Sequence, residues 1–522
     1  MRRVVARAWP PALGAAVVTL ALVAGCTVGP SQRPGLVVAG NPPVTSGPGS
    51  SSARPLPGLD RPSSNLIGWS DCTSTTRERL GATTVPAGLK FQCARVLSAL
   101  DSPSAPGEGY TRLELLRVGN GPTPLVVLND LDGLPGTLYA ATLAAVLPSA
   151  FLRTFALVGV DRRGTGASDP VHCVPEDDRA QIVGYDPTDT DLSGLLDASR
   201  DASQQCILAL DTRSAALDIT RTAEDLETIR QELGVSHLDA IGHGEGSRVL
   251  TTYADTYPGQ VGRFVLDGAP DPTVNATDAV TARAASAEAA FTAFAAQCVQ
   301  LNCPLAPNPK AVLTQLLGQL RSQPLDLPDG TEITNGTAVN AVLAGLAAPR
   351  SGWPALAGAI AAARTGDGTG LATLVEPMVS GTQTDPARLD ARLVSGCNDQ
   401  TDRLAPDQVS AAMKSLSAKY PLFGGVFAQS LLLCGPWPVP NRQLAKPTAK
   451  GAPPILVLST ANDPVTPVIG SQRTAQQLDS GLLVNWLGSG HGALGQSSCT
   501  TRAAQAFLID GHLPANPTTC PP

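Results

Sequence analysis

The chain has 522 residues, of which 16% are charged and 4% are aromatic, and its formal net charge is −7. This length allows a large hydrophobic core and fits one elaborated domain that carries an insertion. The sequence contains no basic patch or arginine-rich run, which argues against a nucleic-acid partner.

Residues 1–25 have the organisation of a lipoprotein signal peptide. A basic start with Arg2, Arg3 and Arg7 precedes a small or apolar stretch over residues 12–24, which is short for a bilayer span. Residues 22–26, Leu-Val-Ala-Gly-Cys, match a bacterial lipobox. An ordinary secretory signal that contains a cysteine is the alternative. We therefore predict lipid on Cys26 and anchoring to the outer face of the bacterial cytoplasmic membrane, within the cell envelope.

Residues 26–65 are rich in Pro, Gly and Ser, which predicts a flexible tether between membrane and domain. The first part of the core is predicted over residues 66–270. Alternating or continuous apolar runs predict strands, and helical patterns at residues 139–147 and 222–233 lie between them. Alternation of strands and helices is typical of an α/β, doubly wound, mostly parallel sheet. The predicted strands are residues 110–118, 124–129, 154–161, 237–241, 263–267, 455–459 and 483–487.

The strand pattern stops over residues 271–393, which are rich in alanine and helical in pattern, with predicted loops around residues 304–309 and 324–330. We predict a helical cap inserted between the strands predicted at residues 263–267 and 455–459, with the remaining core in residues 394–522. Such a cap covers the carboxyl ends of the strands, where open α/β sheets bind their ligands.

The most informative stretch is residues 239–250, where a strand, a glycine-dense turn and a helix follow one another. This is the geometry of a nucleophile elbow, G-x-S-x-G. Gly242 and Gly246 stand at the two outer glycine positions, but the central position is Gly244, which has no side chain. The stretch predicts the scaffold of a serine hydrolase without its serine.

Ser247 is the nearest hydroxyl and a possible substitute nucleophile. It lies about one helical turn past the elbow, roughly 5 Å along the axis. The interpretation that we favour is a helix N-terminal hydroxyl that bonds backbone donors.

The remaining parts of a catalytic triad are present in the order that this fold uses. Asp463 follows the strand predicted at residues 455–459, and a proline-rich turn holds it. His491 lies between two glycines after the strand predicted at residues 483–487. A carboxylate that orients an imidazole is the expected role of this pair, and an Asp-Pro turn with a structural histidine is the alternative.

The chain contains eleven cysteines, and setting Cys26 aside leaves an even number, which in an exported chain indicates disulfides. A zinc site at Cys298 and Cys303 is the competing interpretation, but no second nearby pair accompanies them. The sequence indicates no metal and no cofactor. Spacing suggests local pairs without proving them: Cys72–Cys93, Cys173–Cys206, Cys298–Cys303, Cys397–Cys434 and Cys499–Cys520.

Taken together, these motifs resemble the secreted bacterial tripeptidyl aminopeptidase and prolyl-peptidase-like branch of the α/β-hydrolases. The resemblance covers about residues 71–520 and rests on jointly specific segments. It implies an α/β-hydrolase fold and the chemistry of a serine exopeptidase. The segments are residues 161–170, 263–272, 462–467 and 490–492, the Cys397 and Cys434 region, and the tail between Cys499 and Cys520.

The chain departs from this family at Gly244 and at the loop after Asn129. Asp130, Leu131 and Asp132 stand where the family carries a glycine-rich run near its oxyanion hole. With Glu245, they form the predicted oxyanion region. A negative charge beside a developing oxyanion raises the barrier to reaction, so both departures point away from catalysis.

Two functional hypotheses follow. The favoured one is a membrane-anchored protein with the hydrolase fold and little or no serine-hydrolase activity, which binds a peptide or envelope ligand under its cap. The alternative is an active peptidase or esterase that uses Ser247, or a water activated by His491 and Asp463. A purely structural envelope protein would not need to keep that acid and base.

Overall fold

A computed structural model describes residues 54–522, except 65, 82, 84, 384 and 441–443, and the described residues belong to one compact unit. The predicted signal peptide, Cys26 and most of the predicted tether lie outside them. Among the helices that the structure describes, none combines the length and the apolar character needed to cross a membrane.

A ten-stranded sheet carries the described part of the chain, with the strands side by side in the order β1-β2-β3-β5-β4-β6-β7-β10-β11-β12. β1, β2, β3 and β5 pair antiparallel at one edge, and the remaining neighbours pair parallel. In chain order the strands are β1 (Ser70–Asp71), β2 (Phe91–Ala99), β3 (Tyr110–Val118), β4 (Thr123–Leu128), β5 (Phe155–Val160), β6 (Leu238–His243), β7 (Val261–Asp267), β8 (Leu325–Asp326), β9 (Glu332–Ile333), β10 (Ile455–Asn462), β11 (Gly481–Ser489) and β12 (Thr518–Cys520).

The predicted α/β fold class is confirmed, and every strand predicted from an apolar run is present. β3 has the predicted bounds, and the others differ by a few residues at their ends. β4, β5, β6 and β7 are buried at every position, as expected for parallel strands covered on both faces. β8 and β9 form a separate hairpin of two-residue strands where the sequence predicts a loop around residues 324–330 within the helical segment. The Pro-Asp-Gly turn that ends at Gly330, with φ +88°, explains this difference.

Helices cover the sheet on both faces and build a further layer. In chain order they are α1 (Thr73–Leu80), α2 (Gly136–Val146), α3 (Ser149–Thr154), α4 (Glu176–Gly184), α5 (Ser193–Leu210), α6 (Ile219–Glu232), α7 (Gly246–Thr256), α8 (Ala276–Gln300), α9 (Pro309–Ser322), α10 (Asn335–Ala347), α11 (Trp353–Ala363), α12 (Thr369–Val379), α13 (Arg388–Asp399), α14 (Pro406–Lys419), α15 (Gly424–Gln429), α16 (Val468–Gln477) and α17 (Ser498–Gln505). Short 3-10 turns span Asp211–Ala216 and Arg350–Gly352, and Ala506–Asp510 continues α17 as a π-helix.

Three apolar clusters hold these layers together. One packs α6, α7 and α16 against one face of the sheet, and a second packs α2, α3 and α17 against the other. The third lies within the helical layer and combines α8–α15 with α4 and α5. From the sequence, α4 and α5 were assigned to the first part of the core, residues 66–270. The structure packs them in the helical layer because their buried positions, such as Leu195 and Ala202, face that cluster.

All five predicted disulfides are present, at Cys72–Cys93, Cys173–Cys206, Cys298–Cys303, Cys397–Cys434 and Cys499–Cys520. Three of them lie within the helical layer, because Cys173–Cys206, Cys298–Cys303 and Cys397–Cys434 join residues that belong to or pack against its apolar cluster. The cysteine pairing is therefore confirmed, and these thiols are not available as zinc ligands.

Candidate functional site

The turn between β6 and α7 has the form expected of an elbow. Gly244 adopts φ +53°, a left-handed conformation that glycine tolerates without steric cost. A Cβ on Gly242 would lie 2.6 Å from the carbonyl oxygen of Gly246, and one on Gly246 would lie 3.0 Å from Leu128. A side chain at position 242 would therefore overlap the start of α7, and one at position 246 would crowd the end of β4, so both positions favour glycine.

Asp463 and His491 are brought together as predicted. The imidazole Nδ1 lies 2.9 Å from Asp463 Oδ2. The carboxylate is fully buried and also accepts the backbone N–H groups of Val465, Thr466 and Gly492 at 2.8–3.0 Å. Such a network fixes the orientation of the ring and directs its other nitrogen, Nε2, away from Asp463.

Nε2 of His491 faces Asp130, which the sequence placed only in the oxyanion region. Asp130 Oδ2 lies 2.7 Å from Nε2, and Asp130 Oδ1 accepts the backbone N–H of Glu245 at 2.7 Å. A Cβ built on Gly244 would overlap both carboxylate oxygens of Asp130. The carboxylate thus occupies the space into which a side chain at position 244 would project.

The three side chains form a buried row, Asp130–His491–Asp463. Burial lowers the pKa of His491, but the charges and hydrogen bonds of Asp463 and Asp130 outweigh burial and raise this pKa well above its ordinary value. Burial raises the pKa of both carboxyl groups, yet the charge of His491 and the hydrogen bonds that they accept lower both pKa values overall. The favoured state is an imidazolium between two carboxylates.

The other residues of the predicted oxyanion region lie around this row. Leu131 is buried, and Asp132 pairs with Arg392, whose Nη1 lies 3.4 Å from Asp132 Oδ2. The side chain of Glu245 approaches Arg162, with Oε2 3.9 Å from Nη1. The region therefore presents carboxylates and arginines in place of a glycine-rich run.

Ser247 is fully buried in the first turn of α7, and its hydroxyl donates to the carbonyl oxygen of Gly242 at 2.7 Å. The expected bond to a backbone donor is replaced by this bond to an acceptor. The hydroxyl is engaged within the elbow itself, which disfavours the prediction of a substitute nucleophile.

A second histidine at the site was not singled out from the sequence. His243 ends β6 and pairs in register with Asp267 at the end of β7, and its Nδ1 lies 3.2 Å from Asp267 Oδ2. Its ring stacks on Tyr139 with centroids 4.9 Å apart and lies 4.2 Å from the ring of His491. The sequence could have indicated this pair, because His243 and Asp267 end two predicted strands and the carboxyl ends of adjacent parallel strands meet at one edge of the sheet.

Glycine at position 492 permits this close approach. Gly492 has φ +74°, and a Cβ there would overlap the ring of His243 and lie 2.7 Å from Asp267 Oδ2. The glycine after His491 thus allows two carboxylate–histidine pairs to lie side by side.

Two contacts join the helical layer to the turns that carry the acid and the base. Ser286 of α8 donates its hydroxyl to the carbonyl oxygen of Asp463 at 2.6 Å. The backbone N–H of His491 donates to the carbonyl oxygen of Ala347, the last residue of α10, at 3.1 Å. The layer therefore closes directly over the site, where the side chain of His491 is only 11% exposed.

The sheet order, the elbow turn and the aligned acid and base agree with matches to known families. The model described as "alpha/beta hydrolase fold" matches residues 124–344, and the one described as "TAP-like protein" matches residues 420–520. The chain has the α/β-hydrolase fold. The fold implied by the sequence resemblance is thereby confirmed, together with similarity to TAP-like proteins in the C-terminal part.

Relatives of this α/β-hydrolase-fold chain are proteases and esterases by name. Serine protease Hip1 of Mycobacterium tuberculosis is 26% identical over 482 residues, which cover 87% of this chain and 91% of that protein. Carboxylesterase B of the same organism is 26% identical over 452 residues, covering 83% and 86%. Tripeptidyl aminopeptidase of Streptomyces lividans is 24% identical over 486 residues, covering 87% of each chain.

Proposed function

We propose that this chain is an exported, membrane-anchored protein that binds a peptide or another envelope ligand beneath its helical layer and lacks serine-hydrolase activity. The observation that carries the proposal is the position of the Asp130 carboxylate. It fills the space above Gly244 and accepts the backbone N–H of Glu245.

This position obstructs acyl transfer in two ways. No hydroxyl projects from position 244, and removing the nucleophile of a triad lowers kcat on the order of a millionfold. In this fold the backbone N–H that follows the nucleophile is one of the oxyanion donors. That donor is the N–H of Glu245, and it is engaged by an anion that would repel a developing oxyanion.

A peptide is the ligand that we favour, because relatives carry the names serine protease and tripeptidyl aminopeptidase. Two arginines near the row support a ligand with an anionic group. Nε of Arg283 and Nε of Arg162 are buried without a hydrogen-bond partner among the described residues, and Nη1 of Arg162 has only the Glu245 carboxylate, 3.9 Å away. The charge of Arg283 interacts with those of Asp130, Asp132 and Glu245. Buried donors of this kind favour a carboxylate partner, such as the C-terminus of a peptide.

Export and anchoring rest on the sequence motif at residues 22–26 and on the disulfides. Five disulfides among the described residues fit an oxidising compartment outside the cytoplasm. A lipid on Cys26 would then hold the domain at the membrane surface, which fits a ligand found in the envelope.

The first test asks whether the full chain reacts as a serine hydrolase. We expect no labelling by a fluorophosphonate probe and no turnover of p-nitrophenyl esters above that of a His491→Ala variant. Labelling that disappears in Ser247→Ala, or turnover that disappears in His491→Ala, would establish the active-hydrolase alternative. The intact Asp463–His491 pair is the observation that keeps this alternative open.

The second test asks for the ligand class. Tripeptides with free and with amidated C-termini are titrated into the full chain by calorimetry. We expect the free acids to bind more tightly, and Arg283→Gln to remove the preference. Arg200→Gln is the matched control, because Arg200 is an exposed arginine on α5 that pairs with Asp197. Equal binding of acids and amides would contradict the assignment of a carboxylate-binding arginine.

A further inference from the structure

We propose that Asp130, His243 and His491 form a binding site for a divalent transition-metal ion such as Zn²⁺. Each of the three side chains offers one ligand atom, and these atoms lie within 4.8 Å of one another. This inference goes beyond the proposed function and is independent of it, since metal content is measured without any substrate.

The two histidines are held in the manner of metal ligands. In metal sites, a ligating histidine commonly donates its other ring N–H to a carboxylate, which fixes the tautomer and the ring orientation. His491 faces Asp463 through Nδ1 at 2.9 Å, and His243 faces Asp267 through Nδ1 at 3.2 Å. Nε2 is then the ring nitrogen that each histidine has available for an ion.

The outer carboxylates are themselves held. Asp267 Oδ1 accepts the backbone N–H of Ala493 at 2.7 Å, and Asp463 accepts the N–H groups of its own turn. Tyr139 stacks on the ring of His243 and limits its rotation. Two supported carboxylate–histidine pairs that converge on one point are not explained by a single catalytic dyad.

Asp130 supplies the third ligand. Its Oδ1 is fixed by the N–H of Glu245, while its Oδ2 faces Nε2 of His491 at 2.7 Å. Two ligand atoms on a tetrahedral Zn²⁺ ion, at bond lengths of about 2.0–2.1 Å, stand roughly 3.3 Å apart. For this pair, binding therefore requires the carboxylate to move by about half an ångström, with the ion in place of the shared proton. The ligand atom of His243 lies within 4.8 Å of the other two and must also approach them.

Gly244 provides room for this arrangement. A side chain at position 244 would overlap the Asp130 carboxylate. Glycine at position 244 therefore has two effects. It leaves the chain without the serine nucleophile, and it leaves room for the Asp130 carboxylate, which can bind a metal ion.

The donor set selects the class of metal. Two imidazoles and one carboxylate suit Zn²⁺, Co²⁺, Ni²⁺ or Fe²⁺, whereas Mg²⁺ and Ca²⁺ prefer oxygen ligands alone. Three protein ligands leave a further coordination position for water or a ligand group, which is the arrangement of open metal sites.

The experiment uses the full chain, stripped with a chelator and titrated with Zn²⁺ alone by calorimetry, with metal content confirmed by mass spectrometry. We expect one equivalent bound per chain, and visible absorption bands of a tetrahedral or five-coordinate ion when Co²⁺ replaces Zn²⁺. His243→Gln and Asp130→Asn should each weaken Zn²⁺ binding by about a hundredfold or more, and Asp267→Asn by about 10–100-fold.

His237→Gln is the matched control. Nδ1 of His237 lies 3.2 Å from Asp60 Oδ2, the distance found for His243 and Asp267, but His237 is not part of the cluster. Zn²⁺ affinity should be unchanged in this variant. A wild-type chain that binds neither Zn²⁺, Co²⁺ nor Ni²⁺ would overturn the proposal whether or not any variant folds. So would stoichiometric binding that His243→Gln leaves intact in a folded protein.

Discussion

Asp130 Oδ2 lies 2.7 Å from His491 Nε2, although 361 residues separate the two along the chain. The contact joins the loop after β4 to the loop after β11. Because Nε2 is the nitrogen that would activate a nucleophile, its partner determines what the histidine does. Here the partner is a buried carboxylate, and the base of the expected triad is already occupied.

Restoring serine at position 244 alone should not restore activity. The new Cβ would overlap the Asp130 carboxylate, so Gly244→Ser should lower the free energy of unfolding by about 1–3 kcal/mol and give no esterase gain over wild type. Gly244→Ser combined with Asp130→Gly removes the overlap and frees the N–H of Glu245. We expect this double variant to turn over p-nitrophenyl acetate.

Adding His491→Ala to the double variant tests whether its esterase activity depends on this histidine. The turnover of the double variant should fall to background, because the new serine then has no base. Turnover by Gly244→Ser alone that equals the double variant would show that Asp130 does not block the site.

We predict that Arg163 stabilises the fold. Arg163 is 2% exposed, and its guanidinium pairs with Asp225 through Nε at 2.7 Å and donates to the carbonyl oxygens of Leu100 and Ala216. Arg163→Ala leaves a buried carboxylate unpaired, which costs about 3–5 kcal/mol. Denaturant unfolding measures this loss. Arg200→Ala breaks an exposed pair and should change the free energy of unfolding by about 0.5 kcal/mol or less.

Asp239 predicts a pH dependence of stability. Burial in β6 raises the pKa of Asp239 to about 7, against the smaller lowering by the backbone N–H and the charge of Arg263. Between pH values of about 4 and 7 the folded chain keeps a proton that the unfolded chain has released. The free energy of unfolding therefore falls as pH rises through this window.

Asp239→Asn removes the group that titrates, and with it this pH dependence of stability, but keeps an oxygen that accepts the N–H of Arg263. The variant should exceed wild type in free energy of unfolding by on the order of 2–4 kcal/mol at pH 8 and equal it near pH 4. Thermal unfolding across this range measures the difference. An offset of the same size at pH 4 would assign the effect to packing instead of ionisation.

Cys26→Ala should release the protein from membranes, because the anchor that we propose is the lipid on that thiol. Fractionation of expressing cells measures the soluble share of both proteins. A Cys26→Ala variant that stays in the membrane fraction to the same extent as wild type would show that the attachment lies elsewhere.

The sequence was sufficient for the layers of the fold and for one half of the site. β4, β5, β6 and β7 are buried on both faces, so their apolar runs are continuous and recognisable. Asp463 follows β10 and His491 follows β11, both of which were also predicted from their apolar runs, and the glycines around His491 mark a tight loop. Order along the chain and strand ends were enough to pair them.

The other half of the site could not be predicted, because it depends on the directions in which side chains point from the loops. Asp130 and Gly244 belong to different turns, and only their packing places a carboxylate over a glycine. β2 was missed because the apolar Leu97 is exposed and the polar Ser98 is buried, so the sequence does not show the alternation of apolar and polar residues that marks a strand. α4 and α5 were assigned to the core because their place in the chain precedes the elbow, whereas their apolar faces belong to the helical layer.

The bonds from Ser286 to Asp463 and from His491 to Ala347 couple the helical layer mechanically to the site. Each contributes about 0.5–1.5 kcal/mol, and both break if α8 and α10 move away from the sheet. The side chain of His491 is only 11% exposed, so we expect a ligand that contacts it to require movement of the layer. Because the backbone of His491 is bonded to the end of α10, movement of this layer during ligand entry would also shift the loop that carries His491.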